Sequence, residues 1–215
     1  MLSNEAVTED LPLSLSLPER DGECLLYEPW DNKLYKHEVA DGALSLTLEK
    51  GNLLIAVFGE EIPDGVPAFA EEKDRIPLSL IYDIALKEEG ETEFTDYLSA
   101  SPLVDITAPD RLPRFSGSVR YRTSFTAKEG YTVLDLGEVG ETAEAWLNGT
   151  YLGARINPPY KFSLKEAIKT GENELEVIVV SNAAHKRRDG FSRYIFMPPT
   201  GILGEVSLCK YEKSK

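Results

Sequence analysis

The sequence has few cysteines, few histidines and no long apolar run, and these shortages exclude several classes of protein. Its two cysteines, Cys24 and Cys209, lie far apart and match no metal or redox spacing, so we expect buried apolar side chains or unpaired thiols. No apolar stretch is long enough to cross a bilayer, and no basic leader precedes an apolar run. We expect a soluble chain. Its compartment stays open, because the sequence is also compatible with a piece excised from a larger protein.

Basic residues are scarce relative to acidic ones. The chain carries 37 acidic and 23 basic residues, a net charge of -14. This charge repels phosphates and anionic lipid surfaces, so neither nucleic acid nor a membrane is expected as a partner. Residues 1–75 carry 17 acidic residues against 6 basic ones, whereas residues 76–215 carry 20 against 17. The difference predicts two segments with different surfaces.

A stretch rich in proline and acid lies between these segments. It reads "EEIPDGVPAFAEEKDR" and shows no hydrophobic periodicity, which is typical of a linker or surface loop. We therefore predict an acidic β-rich segment at residues 1–60, a linker at residues 61–75 and the main domain at residues 76–215.

Apolar residues alternate with polar ones along much of the chain. Leu44, Leu46 and Leu48 share such a pattern, and Arg120 and Arg122 face away from the apolar residues around them. Many short strands separated by turn signals predict an all-β fold, a β-sandwich preceded by a short β-rich segment.

Helix signals are scarce. The best candidate is "SLKEAIKTG", in which Ser163 and Glu166 have the spacing of a capping box and Gly171 lies just past the end. We expect a short helix there.

Asn148-Gly149 is a strong β-hairpin signal, because both residues tolerate the positive φ of a type I′ turn. On the strand before it, Ala145 and Leu147 share one face, and Trp146 lies on the other. Trp146 is therefore predicted either to pack beneath a second layer or to present its ring to a ligand or partner.

The segment after the turn combines aromatic, basic and amide side chains with two prolines. Its candidate binding residues, with the tryptophan before the turn, are Trp146, Tyr151, Arg155, Asn157 and Tyr160. An aromatic ring can stack on the apolar face of a pyranose while Arg and Asn bond its hydroxyl groups. The same residue types also build rigid domain interfaces, so both uses stay open.

A second aromatic and basic stretch, "SNAAHKRRDGFSRYIFMPPTG", covers residues 181–201. A run of charges is often a solvated loop. The aromatic residues within it also fit a contact surface for an oligosaccharide or for another domain. Its candidate binding residues are Arg187, Arg188, Arg193 and Tyr194.

No catalytic constellation is evident. Glu172, Glu174 and Glu176 alternate along one strand, but this spacing sets them opposite Leu175 and Val177, as on a solvated strand surface. The sequence has no G-x-S-x-G elbow and no phosphate-binding glycine loop. We expect no catalytic residues.

Residues 110–210 resemble a known module. "LDLGEVGETAEAWLNGTYLGARINPPYKFSLKEAIKTGENELEVIVVSN", followed by "TGILGEVSL", is similar to the galactose-binding-like jelly roll of family 2 glycoside hydrolases, and to the C-terminal module of family 106 rhamnosidases. The shared motifs are A-x-x-W-x-N-G, G-x-N-x-L-x-V and a closing S/T-G-I/L segment. Residues 1–60 resemble the end of the β-domain that precedes this module. An Asp often stands near the position of Asn157 in family 2 enzymes, and an amide is a weaker cation ligand.

The resemblance implies a non-catalytic accessory module that binds carbohydrate and supports or extends the cleft of a separate catalytic domain. The resemblance places the catalytic residues in a separate barrel domain of about 250 residues, which a chain of 215 residues cannot contain. The resemblance therefore implies that domain as a second partner, besides carbohydrate. A purely structural module that docks on the catalytic domain is an alternative, and a self-contained all-β glycosidase is another. No cofactor is expected, and a structural calcium ion stays open.

Overall fold

The computed structural model describes residues 1–6, 9–18, 20–59, 61–164, 166–187 and 197–213. Within these residues every regular element is a β-strand, which confirms the all-β prediction. The chain forms two compact units, Met1–Lys73 with Tyr211–Lys215, and Asp74–Lys210. No helix in the described part of the chain has the length and apolar character that crossing a membrane requires.

The first unit has a small core of its own. Its strands up to residue 57 are β1 (Leu2–Ser3), β2 (Leu11–Ser16), β3 (Gly22–Glu28), β4 (Lys33–Val39), β5 (Ala43–Leu48) and β6 (Leu53–Val57). β1, β6, β3 and β4 form an antiparallel sheet in that order, and β2 pairs with β5. The alternating leucines of β5, Leu44, Leu46 and Leu48, are buried in the core with Leu26 and Leu54.

The second unit is built on a six-stranded antiparallel sheet. The strands that follow β6 are β7 (Ala70–Pro77), β8 (Tyr82–Glu88), β9 (Thr95–Ser101), β10 (Gly117–Ala127), β11 (Val133–Asp135), β12 (Val139–Gly140), β13 (Thr142–Leu147), β14 (Thr150–Arg155), β15 (Lys161–Ser163), β16 (Gly171–Val180), β17 (Gly201–Ile202) and β18 (Ser207–Lys213). The six-stranded sheet has the order β14-β13-β16-β10-β8-β9. A four-stranded sheet has the order β15-β11-β18-β7, and β12 pairs with β17.

Side chains from both larger sheets meet in one hydrophobic core. Tyr121 and Val177 enter it from the six-stranded sheet, and Leu134, Phe162 and Leu208 from the four-stranded sheet. Two sheets that share a core in this way form a β-sandwich, so the predicted architecture is confirmed. The alternation in β16 also agrees with the prediction, since its glutamates face away from the buried residues of the same strand.

The predicted helix at "SLKEAIKTG" is wrong. Ser163 ends β15 and Gly171 begins β16, so few residues remain between two paired strands. The amide groups of Ala167 and Ile168 both donate to the carbonyl of Leu164, each at 2.9 Å. One such turn is too short to propagate as a helix, and the burial of Leu164 and Ala167 fixes it against the core.

β7 begins at Ala70, inside the bounds proposed for the linker. The division of the chain into the three proposed segments stays a prediction. Cys24 and Cys209 are both buried and form no disulfide with each other, as expected for thiols that act as small apolar side chains.

Candidate functional site

The hairpin of β13 and β14 positions the tryptophan that the sequence singled out. Its turn residues, Asn148 and Gly149, have φ of 51° and 80°, as a type I′ turn requires. Ala145 and Leu147 are fully buried, whereas Trp146 lies half-buried on the opposite, outer face of the sheet.

A β-bulge brings an aromatic partner to Trp146. Ala145 pairs with Gly153 and Trp146 pairs with Tyr151, so Leu152 is an extra residue in β14. Leu152 packs against the core, and Tyr151 stays on the outer face, 51% exposed. The rings of Trp146 and Tyr151 have centroids 5.1 Å apart and are tilted by 46°.

Charged side chains continue the line of these two rings across the sheet. Trp146 is opposite Glu176 in β16, Glu176 is opposite Arg122 in β10, and Arg122 is opposite Asp83 in β8. Directly paired residues share a face, so Tyr151, Trp146, Glu176, Arg122 and Asp83 form a cross-strand row. Five strands spaced by about 4.8 Å give this row a length of about 19 Å.

Four residues of the row line an open groove of about 580 Å³, namely Trp146, Glu176, Arg122 and Asp83. Arg122 donates from Nε to Oε2 of Glu176 at 2.5 Å. Asp83 accepts from the Ser99 hydroxyl at 2.6 Å and from the Ala100 amide at 3.0 Å. These two bonds, the Ser99 bond first, hold the pKa of Asp83 below its ordinary value. Glu174, two residues along β16 on the same face, also lines the groove.

Tyr151 is anchored at its end of the row. Its hydroxyl donates to Oε1 of Glu144 at 3.3 Å. Partial burial raises the pKa of Tyr151, and the charge of Glu144 raises it further. The phenol is therefore neutral near neutral pH, and its ring is held beside Trp146.

Three predicted site residues lie elsewhere. Arg155 is 8% exposed and lies over the Phe162 ring at 5.3 Å. Tyr160 is 6% exposed and donates to the Glu141 carbonyl. The side-chain oxygen of Asn157 is buried without a hydrogen-bond partner. Arg155 and Tyr160 thus support the loop from the core side and are not brought together with the row.

The predicted residues of the second stretch are only partly described. Arg187 is exposed and bonds Glu89 at 2.9 Å. Arg188, Arg193 and Tyr194 lie outside the described residues. Within the described ranges, no group of three or more His, Cys, Asp or Glu side chains could hold a metal ion.

Sequence reasoning missed Asp83, Arg122 and Glu176 as members of the site. The alternation in β10 and β16 predicted that Arg122 and Glu176 face outward, and the structure agrees. Alternation gives a face but no register, so it could not place these side chains in line with Trp146.

Comparisons with known proteins agree with this architecture. No family model matches the chain. A protein of Formosa agariphila named "Putative beta-glucuronidase" is 36% identical over 73 residues, which are 31% of this chain and 6% of that protein. The structure of a rhamnosidase from Novosphingobium sp. PP1Y matches with a TM-score of 0.66 and 19% identity, covering 98% of this chain and 22% of that one. A GH2 beta-galacturonidase from Eisenbergiella tayi covers 66% of this chain and 25% of its own, with a TM-score of 0.48 and 23% identity.

The rhamnosidase match shows that nearly the whole chain shares the fold of one part of a glycoside hydrolase. The resemblance that the motifs predicted is confirmed at this level. The chain is a β-sandwich with the fold of a glycoside hydrolase module, and it spans 22% of the rhamnosidase chain and 6% of the curated relative.

Proposed function

We propose that the chain is a non-catalytic accessory module of a glycoside hydrolase, and that it holds an oligosaccharide on the outer face of the six-stranded sheet. The observation that carries this proposal is the cross-strand row, in which two adjacent aromatic rings are followed by three charged side chains. The Trp146 ring and the three charged side chains line one groove. The similarity to glycoside hydrolases supports a role in carbohydrate metabolism.

The row combines the two chemistries that a sugar needs. The half-exposed Trp146 and Tyr151 rings offer an apolar platform for the C–H face of a pyranose. Carboxylates and the guanidinium of Arg122 accept from and donate to hydroxyl groups. The length of about 19 Å suits several linked sugar rings better than one. Because the groove is open and its polar groups must lose water, the affinity is expected to be weak.

A non-catalytic role agrees with the chemistry of the groove. A glycosidase needs one carboxyl group that stays protonated near neutral pH, usually in apolar surroundings. Asp83 is in the opposite situation, because hydrogen bonds to Ser99 and Ala100 stabilise its charged form. Glu176 accepts a charge-assisted hydrogen bond from Arg122, which holds it to the sheet.

Tryptophan fluorescence tests the proposal, because the chain has two tryptophans, Trp30 and Trp146. In a Trp30→Phe background, the emission of Trp146 is expected to change on titration with soluble oligosaccharides. Tyr151→Ala should weaken binding roughly twofold to tenfold, the range expected for one ring contact. Ile156→Ala, an exposed position outside the row, is the matched control and should leave binding unchanged.

Three results would contradict the proposal. The first is no response to any glycan. The second is equal weakening by Tyr151→Ala and by the Ile156→Ala control. The third is turnover of a chromogenic glycoside by the chain itself that is lost in Glu176→Gln, since this would identify a catalytic site in the groove.

A structural docking module is the second candidate function. It is favoured by the loop after β14, where Arg155 and Tyr160 are buried while Ile156 is 68% exposed. A rigid loop that presents one apolar side chain suits contact with another domain. Absence of sugar binding would support this role.

A further inference from the structure

We infer that the groove prefers a saccharide that carries protonated amino groups and disfavours one that carries carboxylates. This inference rests on the proposed function and assigns a ligand class to the same groove. It follows from the placement of charges around the Trp146 ring.

Carboxylates outnumber basic groups in the groove. Asp83, Glu174 and Glu176 line it, and Arg122 is the one basic residue among its described lining residues. The guanidinium of Arg122 is held by Glu176, so it is not free to bind the carboxylate of a ligand at full strength. Asp83 and Glu174 therefore give the described lining of the groove a net negative charge.

The carboxylates of Asp83 and Glu174 lie in the groove that the proposed ligand would occupy. Asp83 is fixed at one end of the row by Ser99 and Ala100. Glu174 is exposed on β16, and its backbone is fixed by a hydrogen bond from its amide to the Asn148 side chain at 3.0 Å. The Asp83 carboxylate is therefore fixed and Glu174 projects from a fixed backbone position, which favours discrimination by charge.

The aromatic end of the row adds to the same preference. An ammonium group near the face of a tryptophan ring is attracted by the ring's quadrupole. Glu144 lies beside Tyr151, bonded to its hydroxyl, and adds a further negative charge near that end. A uronic acid would meet repulsion from Asp83, Glu174 and Glu144.

Binding of three oligosaccharides of equal length tests this inference. They are a chitosan oligomer, which is cationic, its N-acetylated form, which is neutral, and an oligogalacturonate, which is anionic. At about pH 6 carboxyl groups are ionised and the amino groups of chitosan carry a proton. We expect the cationic oligomer to bind about threefold more tightly than the neutral one at low salt, on the order of one exposed ion pair. Salt near 1 M should remove the difference, and the anionic oligomer should bind most weakly.

Glu174→Gln keeps the shape of the groove and removes one charge. It is expected to reduce the ratio of the affinity for the cationic oligomer to the affinity for the neutral one. Glu172→Gln is the matched control, because Glu172 is exposed on the same face of the same strand and does not line the groove. It should leave that ratio largely unchanged.

The outcomes separate the two claims. If the neutral oligomer binds and the cationic one binds no better, or if Glu174→Gln has no larger effect than Glu172→Gln, the charge preference is wrong and the binding function stands. If no oligomer of any charge binds, the proposed function fails and the inference falls with it.

Discussion

Two asparagine side chains tie the hairpin turn to the segment before β16. Asn148 donates from its amide to the Ala167 carbonyl and to Oδ1 of Asn173, both at 2.8 Å. Asn173 is fully buried and also donates to the carbonyls of Lys169 and Gly171. These two motif positions therefore hold the hairpin in place. They influence the site by fixing the hairpin that carries Trp146 and Tyr151.

Substitution of Asn173 tests this structural role. Asn173→Ala leaves several partly buried groups without partners and is expected to lower the free energy of unfolding by about 2–4 kcal/mol. Asn173→Asp keeps the oxygen that accepts from the Lys169 amide at 2.9 Å and loses the donors. Urea unfolding monitored by circular dichroism measures both variants. Equal stability of Asn173→Ala and the native chain would contradict the assignment.

Asp83 predicts a pH dependence of stability. Its pKa is lowered from an ordinary value of 3.8, first by the Ser99 hydroxyl and then by the Ala100 amide. A lowered folded-state pKa contributes stability that is present above the unfolded pKa and is lost as the pH falls through the folded value. The stability difference between the native chain and Asp83→Asn should therefore shrink below about pH 4.

Urea unfolding at about pH 7 and about pH 3 measures this change. Ser99→Ala removes the larger cause of the shift, so in that background the pH dependence of the Asp83→Asn difference should be weaker. A difference that is the same at both pH values would show that Asp83 is not stabilised in its charged form.

For individual residues, the sequence predicted which face of a strand a side chain lies on, but it did not predict which side chains in the loop are buried. The face of Trp146 followed from its alternation with Ala145 and Leu147. Arg155 and Tyr160 are residue types that are common in binding loops, but the side chains of both are buried. The segment that joins β14 to β15 has no periodicity, so nothing in the sequence reports the direction of its side chains.

At the scale of elements, the closing strand β17 depends on a close approach to β10. The Ile202 amide donates to the Tyr121 hydroxyl at 3.3 Å. A Cβ atom at Gly201, where φ is 122°, would lie 2.4 Å from that hydroxyl oxygen. The glycine of the closing motif is therefore required by packing as well as by its backbone angle.

Gly201→Ala is expected to lower the free energy of unfolding by about 2–4 kcal/mol, because it adds overpacking to backbone strain. Gly149→Ala is the control, since φ is 80° there with open space around the Cβ position, and should lower it by about 1 kcal/mol. Tyr121→Phe in the Gly201→Ala background removes the clashing oxygen and should recover part of the loss. Equal effects of the two alanine variants in thermal unfolding would contradict the packing argument.

Elements were predictable where a local signal sufficed. Asn148-Gly149 predicted the hairpin, and the alternation in β10 and β16 predicted their faces. The bulge opposite Ala145 and Trp146 has no such signal, although it sends Leu152 inward and keeps Tyr151 outward. The capping-box pair around Ser163 predicted a helix wrongly, because the pairing of β15 with β11 and of β16 with β10 and β13 outweighs local propensity.

At the scale of the whole molecule, the β-sandwich explains why the candidate site lies on the outer face of a sheet. The apolar faces of both sheets pack together in the shared core, and the groove of the proposed site lies on the outer face of the six-stranded sheet. The all-β fold class could be predicted from the periodicity of apolar residues, and the net negative charge could be read from the composition. The cross-strand row did not, because it joins residues distant in sequence and depends on the register of four strand pairings.

The most direct test of sugar binding by the row is a heteronuclear NMR titration with a soluble oligosaccharide. The chain gives two indole resonances, one from Trp146 and one from Trp30. The account predicts that the Trp146 indole and the amides of Tyr151, Glu176 and Arg122 shift together, while the Trp30 indole stays in place. Shifts confined to the loop that contains Ile156, or no shifts at saturating sugar, would contradict it.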